Sequence, residues 1–231
     1  MPDNVNVADD VDTGMEPLPD KHLGVPLVYQ AIRRYSGNRE TGAVEIRTLV
    51  DATFDLIATT GSFDPQVRDI LARAQVSRHV FYRHFASKDE LLLVVRDESW
   101  RMVASYLRKR IARAEGPSAC LRAWIDGVLR QAQDAEASRR TRPFAMTGFR
   151  LEAQFPKEYA DARRALAGLL AAVIVEGVED GLFESRRPDE DALIIHDAVF
   201  MRQNRHLVLG THPTRKTVDD LHDFALRALR P

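Results

Sequence analysis

Residues 64–90 read DPQVRDILARAQVSRHVFYRHFASKDE, a segment in which several helix starts follow one another closely. Asp64 is a typical N-cap residue, and the proline after it suits a first helical position, where a missing N–H costs nothing. Ser77 restarts the chain as a second N-cap after a tight turn, and Ser87 with Glu90 has the spacing of a capping box. The segment therefore predicts two short helices followed by the start of a third.

The short second helix, residues 77–85, combines one apolar face with one polar face. Val80, Phe81 and Phe85 are spaced to point inward, which would hold the helix rigidly. The DNA major groove, about 12 Å wide, accepts one such helix with its donors toward the base edges. The sequence therefore predicts a helix-turn-helix reader of double-stranded DNA.

The polar face of this helix carries side chains that can contact DNA. Arg78, His79 and Tyr82 lie near its N-terminal end, where an arginine such as Arg78 can bind O6 and N7 of guanine together. Arg83 and His84 follow one turn later, beside the expected phosphates, and Tyr82 and His84 suit phosphate oxygens. The alternative interpretation of these residues is a solvated charged face.

Charge is distributed unevenly along the chain, whose formal net charge is −1 over 231 residues. Residues 1–20 hold six acidic residues and no basic one, whereas residues 73–88 hold four basic residues and no acidic one. Lys88 lies at a helix start, where unbonded N–H groups also attract phosphate. The positive field is therefore concentrated at the predicted reader.

Composition excludes several classes of protein. Cys120 is the single cysteine, so an internal disulfide cannot form, which suits a reducing compartment. No run approaches the roughly 18–20 apolar residues of a membrane span. The acidic first 20 residues lack the apolar region of a signal peptide. We expect a soluble cytoplasmic protein without membrane contacts.

The rest of the chain predicts helices, without the alternation typical of strands. We expect an acidic disordered leader with room for a short helix at 1–42, a helix-turn-helix domain at 43–88, and a helical domain at 89–231. The predicted helices outside the reader cover 26–35, 44–60, 88–114, 118–138, 144–155, 159–183, 189–209 and 218–229, with Pro143, Pro156, Pro188 and Pro213 in the breaks.

The string VSRHVFYRHFASKDELL at residues 76–92 resembles the N-terminal domain of the TetR family of bacterial transcriptional regulators. The resemblance extends over residues 44–95. It implies a homodimer whose third helix reads DNA, with a C-terminal domain that binds a small ligand and dimerises through its last two long helices. It also places Arg68 near the bases. The expected DNA contacts are Arg68, Ser77, Arg78, His79, Tyr82, Arg83, His84 and Lys88.

Two positions depart from the pattern of the family. Gln75 occupies the turn position where the family usually has glycine, so a left-handed backbone there would cost about 1 kcal/mol. Leu71 stands where a small alanine is usual, and the packing of the helices must shift to admit it. Neither departure removes a group expected to contact DNA.

Aromatic and methionine side chains on the C-terminal helices predict an apolar cavity for a small-molecule effector, with Arg142, Arg150 or His196 as polar anchors. For each aromatic residue alone, filling the core of a helical domain is the alternative interpretation. We expect no cofactor besides the effector. The expected pocket residues are Trp100, Tyr106, Trp124, Phe144, Met146, Phe149, Phe155 and Phe200.

Apolar residues of the last predicted helix repeat at intervals of three and four, the stripe expected of a helix that pairs with a partner. A two-fold dimer would hold two reading helices about 34–36 Å apart, which predicts a palindromic operator. Repression is the usual mode in the family that the chain resembles. The expected interface residues are Leu193, Val218, Leu221, Ala225, Ala228 and Leu229.

Two other classes of function stay open at this point. His196 next to Asp197, and His222 near Asp219, suggest a metal-dependent or acid-base enzyme, although the sequence offers no evident ligand from a third element. A helical adaptor that binds proteins through exposed arginines is the second alternative. Neither alternative predicts protection of a short DNA palindrome.

Overall fold

The computed structural model describes residues 26–34 and 39–230, apart from the side chains of residues 29, 32–34, 39 and 147–149; the expected acidic leader lies outside this description. Every regular element in the described ranges is an α-helix, which confirms the predicted all-α class. None of these helices is both long enough and apolar enough to cross a membrane. The helices are α1 (Leu27–Arg34), α2 (Arg39–Thr60), α3 (Val67–Ala74), α4 (Arg78–His84), α5 (Lys88–Ile111), α6 (Pro117–Gln133), α7 (Ala135–Gln154), α8 (Pro156–Glu179), α9 (Pro188–Leu209) and α10 (Arg215–Ala228).

Of the four prolines predicted to lie in breaks, two mark helix starts and one lies inside a helix. Pro156 and Pro188 occupy the first positions of α8 and α9, where their fixed φ suits the helix. Pro143 was expected in a break, but it lies inside α7, so that prediction is wrong. An internal proline costs about 3 kcal/mol. Helix α7 contacts both α6 and α9, and this packing outweighs the cost.

The N-terminal core gathers buried side chains from α1 to α5. Val28 of α1 is fully buried in it, and the Leu27 N–H donates to Asp97 Oδ2 on α5 over 3.0 Å. Phe144, which belongs to α7, is buried in the same core. The core therefore extends past both limits of the domain expected at 43–88.

The C-terminal core lies among α5, α6, α8, α9 and α10. Helix α5 joins the two cores, because Leu91 is buried in the N-terminal core and Leu107 in the C-terminal core. Its 24 residues extend over about 36 Å, at a rise of about 1.5 Å per residue. A rearrangement of one core can therefore reach the other along a single helix.

Candidate nucleic-acid interface

Helices α3 and α4 form the predicted helix-turn-helix, and Gln75 makes the turn between them. Gln75 adopts φ 55° and ψ 37°, the left-handed conformation that the sequence predicted at this position. Its N–H and that of Val76 both donate to the Leu71 carbonyl. These hydrogen bonds close the turn and offset the strain of a side chain in left-handed backbone.

The N-caps of α4 and α5 form as the sequence predicted. Ser77 Oγ accepts from the Val80 N–H at 3.3 Å, and Ser87 Oγ accepts from the Glu90 N–H at 3.1 Å. The Glu90 carboxylate returns to the N–H of Ala86 at 2.7 Å, one residue before the cap. Each start is thus fixed by a side chain within three residues of it.

The cap predicted for α3 is wrong. The N-cap is Gln66, whose side chain makes no capping hydrogen bond, and α3 begins at Val67. Asp64 instead accepts from Lys88 Nζ at 2.6 Å, and it lies 3.6 Å from Arg150. The Asp64 carboxylate is thus engaged by two cations, and α3 starts three residues after it.

Helix α4 is anchored by aromatic side chains on its inner face. Phe81 and Phe85 are fully buried, with ring centroids 5.9 Å apart, and Val80 is half-buried beside them. The inward spacing that the sequence predicted for these residues is therefore confirmed. The burial of these side chains helps to hold the seven-residue helix in place.

The outer row of α4 consists of Arg78, His79 and Tyr82, which are exposed. The Arg78 guanidinium lies 5.3 Å from the centroid of the Tyr82 ring, a cation–π contact that restricts both side chains. Arg68 on α3 is also exposed, at 86% of its side chain, and it pairs with the adjacent Asp69. All four side chains are therefore accessible to a partner.

The cationic side chains that follow the outer row are engaged by acidic residues of the same chain. Glu45 on α2 lies 2.5 Å from His84 Nε2 and 3.3 Å from Arg83 Nη1. The His84 side chain is completely buried, so its expected contact with phosphate does not fit the structure. Arg83 and Lys88 keep 31% and 24% of their side chains exposed and stay candidates for phosphate.

Helix α7 connects the C-terminal helices to the helix-turn-helix unit. The Phe144 ring lies 4.5 Å from that of Phe63, which precedes α3, and 6.2 Å from that of Phe54 on α2. Arg150 donates to Asp89 at the start of α5 over 2.7 Å. An apolar contact and an ion pair therefore hold α7 against the unit.

A buried guanidinium lies at this junction. The Arg96 guanidinium is 4.9 Å from the Trp100 ring, 5.4 Å from that of Phe144 and 6.0 Å from that of Tyr159. Burial lowers the pKa of Arg96 and raises the pKa of the Tyr159 phenol. The faces of the rings compensate in part for the lost hydration of the cation.

The side chains expected to line one cavity lie in separate places. Trp124 and Phe200 belong to the C-terminal core, and Phe144 and Phe155 to the N-terminal core. The remaining expected pocket residues are Trp100, which contacts both cores, Tyr106 beside Arg110, Met146, which is 56% exposed, and Phe149, which lies outside the described side chains. A cleft of about 560 Å³ beside Met146 is lined by Gly61, Arg139, Arg142, Pro143 and His212 among others.

The expected dimer stripe of α10 is buried within its own chain. Val218, Ala225 and Leu229 are at most 3% exposed and pack in the C-terminal core, where α10 contacts α6. These three assignments are therefore wrong, because the spacing that suits a partner helix suits a neighbour in the same chain equally. The other expected interface residues are Leu193 and Leu221, which are half-buried, and Ala228, which is exposed.

Other apolar side chains are exposed on the two longest C-terminal helices. Val175 on α8 is 42% exposed, and Ile194 and Met201 on α9 are 62% and 58% exposed. Ile194, Met201 and Val208 recur every seven residues, so they follow one side of α9. The seven-residue interval is the signal of this face in the sequence.

The residues that suggested an enzyme have structural contacts. His222 Nε2 lies 3.1 Å from the Ser118 carbonyl oxygen, and Asp219 is paired with Arg122. His196 Nδ1 lies 3.1 Å from Asp197. Across the ranges that the structure describes, no three His, Cys, Asp or Glu side chains come together as ligands for a metal ion.

Comparison with known proteins identifies the N-terminal segment by sequence. Residues 49–95 match the family described as bacterial regulatory proteins, tetR family. A segment of 81 residues is 31% identical to an uncharacterized HTH-type transcriptional regulator of Haemophilus influenzae, and it covers 35% of this chain and 40% of that protein. The chain thus matches less than half the length of this curated relative.

Solved structures share the fold over most of the chain. RolR in complex with resorcinol gives a TM-score of 0.65 at 15% identity, covering 82% of this chain and 89% of that one. A TetR-family regulator from Pectobacterium atrosepticum gives 0.63 at 18% identity, covering 83% and 93%. The fatty acid degradation regulator FadR from Bacillus halodurans gives 0.60 at 19% identity, covering 80% and 99%. At these identities the likeness concerns the fold.

Proposed function

The chain belongs to the TetR family of bacterial regulatory proteins, and on that premise we propose that it is a dimeric repressor, released from a palindromic operator by a small molecule. The observation that carries the proposal is the outer row of Arg78, His79 and Tyr82, exposed on a capped helix with a buried aromatic anchor. A rigid helix that presents such side chains can enter the major groove.

We assign the contacts with the DNA bases to the outer row of α4 and to Arg68 of α3. Arg78 is suited to guanine, because its fork of donors matches O6 and N7. Arg83 and Lys88 are assigned to the phosphates. Each would exchange a carboxylate of its own chain for a phosphate.

The dimer is assigned to α8 and α9. These helices leave Val175, Ile194 and Met201 exposed, whereas the apolar stripe of α10 is already covered. Pairing this face about a two-fold axis would bury the exposed apolar side chains and give the assembly two α4 helices related by that axis. An interface of this kind predicts a palindromic operator.

The effector is assigned to the C-terminal region. RolR is solved in complex with its ligand resorcinol, and FadR is named as a regulator of fatty acid degradation. The small molecule bound to RolR supports a small-molecule effector for this chain as well. The continuous α5 and the contact of Phe144 with Phe63 provide the path by which binding would move α4.

The test is a selection of bound sequences from a random DNA pool with the full chain. We expect a short palindrome. Arg78→Ala should relax the preference at one base pair of each half-site, at a cost of about 1–3 kcal/mol for the preferred sequence. Lys88→Ala should weaken binding to all DNA sequences about equally. It should also reduce the slope of the logarithm of DNA affinity against the logarithm of salt concentration by about one.

The matched control is Arg187→Ala, which removes an equally positive but remote side chain, 75% exposed at the start of α9. It should change neither the preference nor the affinity. If the selection recovers no palindrome, α4 is not the helix that reads DNA. The same conclusion follows if the Arg78 variant binds the selected DNA as tightly as the wild type does.

A further inference from the structure

Two polar atoms in the C-terminal core have no hydrogen-bond partner among the described residues. They are Nε1 of Trp124 and Nε2 of His196. Trp124 is fully buried and His196 is 5% exposed. Native cores leave few buried polar atoms unsatisfied, and each exception requires a physical explanation.

The two side chains come from different helices and lie close together. Trp124 is on α6 and His196 is on α9, and their ring centroids are 6.1 Å apart. Phe200 stacks on His196 at 4.3 Å and lies 6.2 Å from Trp124. The two unsatisfied nitrogens therefore belong to one aromatic cluster between α6 and α9.

The neighbours of His196 determine which of its nitrogens carries the proton. Its Nδ1 lies 3.1 Å from Asp197 Oδ1, and that carboxylate also accepts from Arg163 Nε at 2.6 Å. A carboxylate only accepts, so Nδ1 is the protonated nitrogen. Burial lowers the pKa of His196, which keeps the ring neutral and makes Nε2 an acceptor. The Trp124 N–H is a donor only.

We propose that Trp124 and His196 bind the hydroxyl group of a neutral ring compound, a phenol or cyclic alcohol, which acts as the effector. The inference rests on the proposed function and names the class of its ligand. A hydroxyl group donates to His196 Nε2 and accepts from the Trp124 N–H. A carboxylate has no proton for Nε2, and an ether can only accept, so both leave His196 unsatisfied.

The first experiment measures binding of three matched pairs of probes to the full chain by calorimetry and thermal melting. The probes are phenol and 2-naphthol, their methyl ethers, and benzoate and 2-naphthoate. We expect at least one hydroxyl compound to bind and to raise Tm. Its ether and its carboxylate should bind at least roughly tenfold more weakly, the factor expected when a buried acceptor is left without its donor.

The second experiment uses variants that remove one nitrogen each. His196→Phe should weaken binding of the hydroxyl probe roughly tenfold and change binding of its ether little, whereas Trp124→Phe removes the donor that both probes use and should weaken binding of both. His206→Phe is the matched control, because His206 is on the same helix and bonds to Thr211 at 2.9 Å. It should leave the affinity for the hydroxyl probe unchanged.

Three results overturn the proposal: a carboxylate that binds as tightly as the hydroxyl probe, an ether that does so, or no binding by any probe. The probe series uses the wild-type chain, so it is decisive even when a variant fails to fold. Gel-shift titration of the selected operator separates the two proposals. A hydroxyl probe that binds without releasing DNA contradicts the effector role in the proposed function and leaves the binding site established.

Discussion

Polar side chains of the helix-turn-helix region, α2 to α4, and of the helices beyond it differ in how they are hydrogen-bonded. In α2 to α4, Glu45 engages both Arg83 and His84, and Asp55 accepts from Arg73 at 2.8 Å. In α6 and α9, the buried nitrogens Nε1 of Trp124 and Nε2 of His196 have no hydrogen-bond partner among the described residues.

The difference suits two regions with different roles in the proposed function. The first region pairs its inner cationic groups with its own carboxylates, so it can move as a rigid body that carries the outer row. The second region contains groups that an added molecule could satisfy, so its stability would respond to the proposed effector. A rigid reader joined to a responsive core is the arrangement that a ligand-controlled regulator requires.

The largest change in the free energy of unfolding is expected from a substitution at the boundary between these regions. Phe144→Ala removes a ring that is 6% exposed and packs on Phe63, so it should lower the free energy of unfolding by about 3–5 kcal/mol. Urea unfolding followed by circular dichroism measures the change. Phe224→Ala, at a ring that is 45% exposed, should change it by less than about 0.5 kcal/mol. Equal effects would show that α7 is not part of the N-terminal core.

The next effect tests the paired polar groups of the unit. Glu45→Ala leaves the buried His84 without its carboxylate partner and should cost about 1–3 kcal/mol of unfolding free energy. Asp55→Ala breaks an ion pair between side chains that are more than half exposed, and should cost about 0–1 kcal/mol. The same urea titration compares them. A smaller loss for the Glu45 variant than for the Asp55 variant contradicts the contrast drawn between buried and exposed pairs.

The third effect is a pH dependence in the C-terminal core. Burial lowers the pKa of His196 below its ordinary value of 6.5, so the unfolded chain binds this proton more readily. Its contribution to stability is therefore complete above pH 6.5 and is lost as the pH falls toward the folded pKa, with a slope of at most about 1.4 kcal/mol per pH unit.

The measurement is the difference in unfolding free energy between the wild type and His196→Phe from pH 7.5 to 5, a range that brackets the value of about 6.5 for free histidine. His206, whose pKa is also lowered by burial, contributes equally to both proteins and cancels. The wild type should lose stability relative to the variant as the pH falls. A difference that does not vary with pH means that His196 keeps an ordinary pKa.

The smallest effect concerns backbone strain in the unit. Gln75→Gly relieves a left-handed conformation, and after the added entropy of the unfolded glycine it should stabilise the chain by about 0.5 kcal/mol. Gln75→Ala keeps the strained conformation and should give no gain. Thermal melting of the two variants measures the difference. Equal Tm values would mean that the turn adapts to a Cβ at no cost.

The sequence predicted the elements whose determinants are local. The start of α4 depends on Ser77 and Val80, three residues apart, and its inner face follows from the spacing of Phe81 and Phe85. The left-handed turn at Gln75 was expected from the resemblance to the TetR family, which usually has glycine at this position. Because every partner lies within one or two turns, pattern and capping chemistry were sufficient.

The sequence failed where the partner is distant. His84 has an exposed-looking position on α4, but it is buried and bonded to Glu45, 39 positions earlier. The stripe of α10 correctly indicates a buried face, yet periodicity does not identify what covers it, and α6 does so. Pro143 satisfies the local rule for a break, and tertiary packing of α7 overrides that rule.

Because α5 is one continuous helix, a small tilt at one of its ends moves the other end by a large distance. A tilt of about 5° at one end of a helix about 36 Å long displaces the other end by about 3 Å, close to the spacing of about 3.4 Å between successive base pairs. In the proposed symmetric pair the two displacements would add, so a slight repacking around Trp124 would shift both α4 helices relative to neighbouring major grooves.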